Sequence, residues 1–204
     1  MSLPLLSRRF LRKATRREHA AAEQTPVMLA LFGAQFTVDI YIRLLLGYRA
    51  LYAEWEATHS RWLAGDLLSS GWRYRSRLPA IESDLHALGA QISGLGGGYS
   101  PSASPAHASP GTAGADAAPS WGSLYVVEGS ALGGQIIARR LAAEFPGHPH
   151  RFFNMGHGSG QPTWRDFQIL LDGQLDTAIG RRAVALQARA AFGHFQQMLE
   201  GVVS

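Results

Sequence analysis

The stretch that constrains this chain most is EGSALGGQIIARR, residues 128–140. Ile136, Ile137 and Leu141 fall at helical spacing, with Arg139 and Arg140 near the end, and the pattern predicts a helix over 121–143. Gly129, Gly133 and Gly134 stand inside it, and each glycine costs a helix interior about 1 kcal/mol relative to alanine. Gly129 and Gly133 are four residues apart, with Ser130 and Gly134 beside them, so the helix presents a strip where bare backbone can be approached closely. Such a strip suits a tight helix–helix contact, a bend or a flat ligand. This segment alone leaves all three open.

Helical spacing also dominates at 7–22, 25–32, 37–58, 72–90, 163–178 and 181–200, and few segments show the β-branched alternation of strands. The expected fold class is therefore all-α. A chain of 204 residues is long enough for one domain with a sizeable core, so 1–204 reads as a single unit. Within it, residues 93–120 are rich in Gly, Ser, Pro and Ala and poor in core formers, which predicts a flexible surface loop between two helices. No internal repeat is visible.

Charge and cysteine content narrow the functional classes. The chain has no cysteine, which excludes a disulfide framework and any cysteine-ligated zinc or iron–sulfur centre. The net charge of +4 and pI near 9.8 rest on arginine, because Lys13 is the one lysine, and such a surface suits anionic ligands or acidic partners. Nucleic acid is not expected, since the basic residues are scattered along helix faces without interleaved aromatics. The basic start resembles an organelle presequence but lacks the apolar region of a secretory signal. The longest apolar stretch is interrupted by Arg43 and Arg49. These features predict a cytoplasmic protein that does not enter the membrane.

Eight histidines are candidates for metal or proton chemistry. His148, His150 and His157 lie in an irregular piece, FPGHPHRFFNMGHGSGQP, without fixed geometry or a carboxylate pair, and are expected to be solvated loop residues. His59, His86, His107 and His194 carry no local motif. His19 differs. At 100° per residue, Arg12 lies about 20° from it, Arg16 about 60° and Glu23 about 40°. One face would thus hold an imidazole, a carboxylate able to orient its ring, and two guanidinium groups for a ligand's carboxylates. An ordinary solvated charged face would have the same composition.

Taken together, LRKATRREHAAAE at 11–23, with PVM just after it, and LYVVEGSALGGQIIARRL at 124–141 resemble the haem oxygenase family. They are most similar to its bacterial branch associated with bacteriophytochromes. The two motifs are in the family's order, and the resemblance spans most of the chain apart from 93–120. It implies a single-domain multi-helix fold holding haem between a proximal N-terminal helix and a glycine-rich distal helix. His19 would be the proximal iron ligand, with Glu23 four residues on, and Gly129, Gly133 and Gly134 would lie over the haem face. Arg12 and Arg16 would meet the propionates. At Ser130 many members carry an aspartate, which the phytochrome-associated branch lacks. The basic residues that some members bring from a late helix fall near Gln168 and Asp172, leaving Arg139 or a later arginine as a replacement.

The implied activity is oxidative cleavage of haem, both substrate and cofactor, to biliverdin, carbon monoxide and ferrous iron with O2. Gly129, Ser130 and Gly133 would shape and supply the distal side. Electrons would come from a ferredoxin or a reductase, because the chain has no flavin or nicotinamide fingerprint, and the pigment would link functionally to a bacteriophytochrome. Two alternatives stand beside this reading: a haem-binding or storage protein on the same fold, and a thiaminase-like or di-metal helical enzyme. A di-iron site would want repeated Glu-x-x-His pairs on facing helices, a pattern the central helices are expected to lack.

Overall fold

The computed structural model describes residues 6–33, 36–89, 120–155 and 163–202, with side chains from residue 9 onward. Along the chain run α1 (Leu6–Ala14), α2 (Arg16–Glu23), α3 (Pro26–Phe32), α4 (Val38–Ala64), α5 (Asp66–Ser69), α6 (Leu78–Ala87), α7 (Trp121–Glu144), α8 (Trp164–Asp172) and α9 (Ala178–Gly201). A 3-10 turn, Gly173–Leu175, follows α8, and no strand occurs among the described residues. The fold is all-α, as expected. The predicted loop at 93–120 lies outside the described residues except for Ser120.

The three long helices form the frame. α4 starts where the Thr37 hydroxyl accepts from the Ile40 amide at 3.3 Å, and it buries Tyr41, Leu44, Leu45, Tyr48 and Tyr52 along one stripe. α7 and α9 pack closely, because a side chain at Gly122 would run into the Val184 carbonyl; only glycine permits that backbone approach. Tyr48 and Tyr52 from α4, Phe152 and Phe153 from the loop after α7, and Phe195 from α9 then meet as an aromatic core. Around this frame α1 lies against α8, α2 and α3 against α9, and α3 also against α7.

Four helix boundaries depart from the sequence reading. The single helix expected over 7–22 is broken at Thr15, whose φ of −111° and ψ of 12° separate α1 from α2. Thr15 is buried and turns its hydroxyl back to the Leu11 carbonyl at 2.8 Å, a local bond that competes with helix continuation. The helix expected over 37–58 runs on to Ala64 because Trp62 is buried against Trp121. That expected over 72–90 begins only at Leu78. Glu56 captures the Tyr74 hydroxyl at 2.9 Å, the Ser76 hydroxyl at 2.7 Å and the Arg77 amide at 3.0 Å, holding the preceding segment out of helical form. The helix expected over 163–178 stops at Asp172, and α9 starts afresh where Thr177 accepts from the Gly180 amide at 2.9 Å.

Candidate functional site

α2 carries His19. Its Nδ1 lies 3.2 Å from Glu23 Oε1, and the two side chains are 60% and 61% exposed. An imidazole held through Nδ1 leaves Nε2 for a metal. Phe192 on α9 backs the ring at 5.5 Å between centroids. Arg12 at the end of α1 and Arg16 at the start of α2 are both exposed, and the break at Thr15 does not separate them. They line one open groove of about 670 Å³ with Arg9, Lys13, Arg17 and Arg189. Arg189 reaches across from α9 to donate to the Ala14 carbonyl at 2.9 Å, using an acceptor that the helix break frees.

The three glycines of α7 do different things. A Cβ at Gly134 would lie 2.8 Å from the Phe153 carbonyl oxygen, so this glycine packs against the loop that follows α7. One at Gly133 would meet nothing within 4 Å, and one at Gly129 would lie 3.3 Å from the Trp164 indole of α8. Gly134 stands about 140° from Gly129 around the helix, whereas Leu132, Gly133 and Ile136 lie within about 60° of it. The open part of the strip is therefore at Gly133, flanked by Leu132 and Ile136, both unusually exposed for large apolar side chains, while the Trp164 indole covers Gly129. On α3 the equally exposed Leu29 and Phe32 present a second apolar edge. Arg140 of α7 ties α3 to this region, donating to the Leu31 and Gly33 carbonyls at 3.2 and 3.1 Å.

Beside the strip lies a partly buried polar cluster. Ser130 donates to the Val127 carbonyl at 2.8 Å, and its oxygen lies 3.3 Å from the hydroxyl of Tyr52 on α4. Glu128 receives Arg77 Nη2 at 2.7 Å, with side chains only 13% and 5% exposed. Burial opposes the charge on Arg77, but Glu128, Tyr52 and Tyr74 together more than offset it and the guanidinium is held cationic. Burial likewise raises the pKa of Tyr52, so its hydroxyl keeps its proton. Neither Tyr52 nor Arg77 was singled out in the sequence, since no local pattern marks a residue whose partner lies on another helix.

A model of the family described as Heme oxygenase matches residues 6–201. The chain belongs to the haem oxygenase family. It is similar to the heme oxygenase of Xanthomonas campestris pv. campestris (strain 8004), with 36% identity over 174 residues that cover 85% of this chain and 96% of the relative. For a member of the haem oxygenase family the observed surfaces fit the group it handles. An exposed imidazole on α2, a glycine with free space above it on α7, apolar residues on α3 and α7, and cations for two carboxylates all suit an amphiphilic, flat macrocycle.

The remaining histidines are engaged otherwise or lie elsewhere. His150, expected to be solvated, is 2% exposed, with Nδ1 2.9 Å from the Tyr41 hydroxyl and Nε2 3.3 Å from the Phe145 carbonyl. Both ring nitrogens are thus occupied by protein. Its burial comes from Tyr41, 109 residues earlier, which no local reading of the loop detects. His157 and His107 lie outside the described residues. The chain does contain one Glu-x-x-His spacing, Glu56 to His59, and it sits on α4, against expectation. Glu56 is taken up by Tyr74, Ser76 and Arg77, and His59 Nδ1 lies 2.8 Å from the Trp55 carbonyl. The pair therefore builds structure. On α8, Gln168 is buried and Asp172 half-buried, and neither adds a cation. Arg139 is exposed on the last turns of α7. Tyr125 of α7, also unmarked in the sequence, has a pKa raised by burial and opposed by the charge of Arg12, which brings the distal helix into range of that arginine.

Proposed function

We propose that this chain cleaves haem oxidatively to biliverdin, carbon monoxide and ferrous iron, using O2 and electrons from outside, with His19 as the iron ligand. The observation that carries the residue assignment is the His19–Glu23 contact on an exposed face of α2, which fixes one ring nitrogen and leaves the other free. Haem, when bound, supplies both the redox-active iron and the carbon skeleton that is opened. Arg12 and Arg16 fix the orientation of its carboxylates by charge-assisted hydrogen bonds. Gly129 and Gly133 add no side chain of their own to the distal face, and Leu132 and Ile136 exclude water from its edge. Gly134 contributes through packing, by letting the 150–155 loop close on α7.

The role of Ser130 on the distal side is to accept. Its one proton is committed to Val127, so Tyr52 donates to it and holds the hydroxyl in place. Proton donors toward the ligand are then backbone amides and water ordered by Ser130. Lack of an aspartate at this position supports placing the chain with the bacteriophytochrome-associated branch and hence with pigment supply. The whole chain, 1–204, acts as one domain. Among the described residues no helix is long and apolar enough to cross a membrane, in keeping with action in the cytoplasm.

The test is to add hemin to the purified protein, record the Soret band, then supply ascorbate in air. A biliverdin band supports the proposal. A stable Soret band without ring opening identifies a haem-storage protein, and no Soret band at all refutes both.

A further inference from the structure

The α7 strip has an end as well as an opening. Tyr125 and Gly133 lie about 40° to either side of Gly129, and Ile136 about 20° from it, so all four share one face that rises about 6 Å every four residues. The early part of that face is covered and the later part is not. Cη2 of the Trp164 indole would stand 3.3 Å from a Cβ at Gly129, and the ring lies 5.5 Å from that of Tyr125 between centroids. A Cβ at Gly133 meets nothing within 4 Å. Open backbone therefore begins one turn beyond the indole.

The indole is braced from behind. Trp164 is the first residue of α8, in a turn that closes on itself: Thr163 Oγ1 accepts from the Asp166 amide at 3.3 Å, and Asp166 Oδ2 accepts from the Thr163 amide at 2.7 Å. Phe167 stacks on Trp164 at 5.5 Å and 29°, is fully buried, and meets Trp72 at 5.0 Å. Trp72 Nε1 donates to Glu128 at 3.4 Å, and Glu128 is itself held by the buried Arg77. The contacts thus leave α7 at Glu128, pass through three rings and return to α7 at Gly129. Trp164 is nevertheless half-buried, so this backed ring keeps some surface for a further contact.

A flat ring with two carboxylates needs such a contact. Arg12 and Arg16 are exposed, and exposed long side chains follow a carboxylate by changing rotamer, so a macrocycle held by them alone still turns in its own plane. We propose, on the haem oxygenase reading of this site, that Trp164 is a specificity-determining residue: it fences the strip at Gly129 and so sets the in-plane angle of the haem and the meso edge that is opened. The rim of the macrocycle rests against the indole, a contact between aromatic edges and faces. Turning the macrocycle drives its rim into a ring that Phe167 and Trp72 prevent from retreating, because a packed interior has no room to yield. Trp164 makes and breaks no bond; it acts by position.

The test uses Trp164→Leu, which removes the ring, and Trp164→Phe, which keeps a ring beside Phe167 but loses the outer indole edge that lies over Gly129. Two quantities are read on the hemin-loaded full chain: the haem-methyl proton resonances of the cyanide-ligated ferric complex, and the biliverdin isomers formed with ascorbate in air. The unaltered protein should show one predominant set of resonances and one predominant isomer. In Trp164→Leu a second set should appear and the minor isomer should rise about fivefold or more, equivalent to about 1 kcal/mol between the two seatings. Trp164→Phe should shift in the same direction, and it decides the matter if the leucine variant does not fold. The control Trp62→Phe loosens the core at Trp121, eight residues before Gly129, and should lower the melting temperature without mixing the seatings. A single set and an unchanged isomer in the folded Trp164 variants overturn the proposal, as does equal mixing in Trp62→Phe or in the unaltered protein. Loss of hemin binding in a Trp164→Phe protein of normal melting temperature would make the indole a holding group and overturn it too. If the unaltered protein binds hemin but opens none, the haem oxygenase reading fails while the resonances still test the fence; if it binds none, both fall.

Discussion

The hydroxyl of Tyr52 on α4 stands 3.3 Å from that of Ser130 on α7, joining the two long helices through side-chain oxygens. Because Ser130 already donates to Val127, the pair has one polarity: Tyr52 gives and Ser130 receives. Tyr52→Phe and Ser130→Ala should each lower stability by about 1 kcal/mol. The double variant should lose little more than either single one, since both remove the same bond. Hemin affinity should hold, while biliverdin formation slows in Tyr52→Phe, because Ser130 loses the bond that holds its hydroxyl in place. Additive stability losses in chemical denaturation would show that the two hydroxyls are not coupled.

The glycines of α7 make three separable predictions. Gly134→Ala should lower stability by about 1–3 kcal/mol, because its methyl group meets the Phe153 backbone. Gly133→Ala should raise stability by up to about 1 kcal/mol through helix propensity. It should nevertheless slow or redirect ring opening, because its methyl group stands on the distal face. In Gly129→Ala the Trp164 indole must give way by a few tenths of an ångström, so tryptophan fluorescence should change along with turnover. Thermal melts set beside the biliverdin isomer pattern separate the three; wild-type turnover and isomer in Gly133→Ala would show that this position does not face the ligand.

His19→Ala should fold with little loss, since the side chain is 60% exposed, yet lose the axial imidazole. The Soret and electron paramagnetic spectra of the hemin complex should change and turnover should fall below detection. Glu23→Gln keeps a hydrogen-bond acceptor but removes the charge, so it should shift the iron–imidazole stretching frequency while retaining partial activity. Spectra identical to the unaltered protein in His19→Ala would assign the iron to another residue.

Breaking the Arg77–Glu128 pair from one side leaves a buried charge without its partner. Glu128→Gln or Arg77→Met should therefore cost about 3–5 kcal/mol, far more than removal of an exposed ion pair such as Arg49–Glu82. Urea denaturation of both variants against Glu82→Gln measures the contrast. A loss under about 1 kcal/mol in both would mean that water reaches the pair.

Stability should fall with acidification from about pH 7 to pH 5.5. Burial lowers the pKa of His150 and of His59 below the ordinary histidine value. The unfolded chain consequently takes up these protons first. The contribution of the neutral side chains is complete above about pH 6.5, declines as pH falls from there to each folded pKa, and is constant below, with a limiting slope of about 1.4 kcal/mol per pH unit for each group. His150 sits at φ 46°, a conformation that asparagine tolerates better than most residues. His150→Asn should flatten the profile, as melting temperatures across that pH range would record.

Which features could be read from the chain follows from the range of the interactions that make them. Helix type was legible because the apolar spacing of α4, α7 and α9 is long and regular. The division of labour among Gly129, Gly133 and Gly134 was legible too, in principle, since it follows from 100° steps around α7, but grouping the three by motif obscured it. The start of α6 was signalled by Pro79, a residue favoured in the first turn. The break at Thr15 was not legible: apolar spacing continues across it, and Arg189, which takes up the Ala14 carbonyl there, lies 175 residues further along. The same holds for His150, Tyr52 and Arg77, whose surroundings are assembled from distant segments. His19 and Glu23 could be paired beforehand because four residues separate them on one helix.

The bonds from Arg140 to the carbonyls of Leu31 and Gly33, with Glu144 at 2.5 Å steadying the guanidinium, act as a latch between two jaws. One jaw is α3 with Leu29 and Phe32; the other is α7 with Leu132 and Ile136. The latch engages main-chain oxygen, which every amino acid supplies alike. The exposed side chains of α3, Leu29 and Phe32, can therefore vary without loosening the latch, and Arg140 holds its grip on the jaw whatever they become.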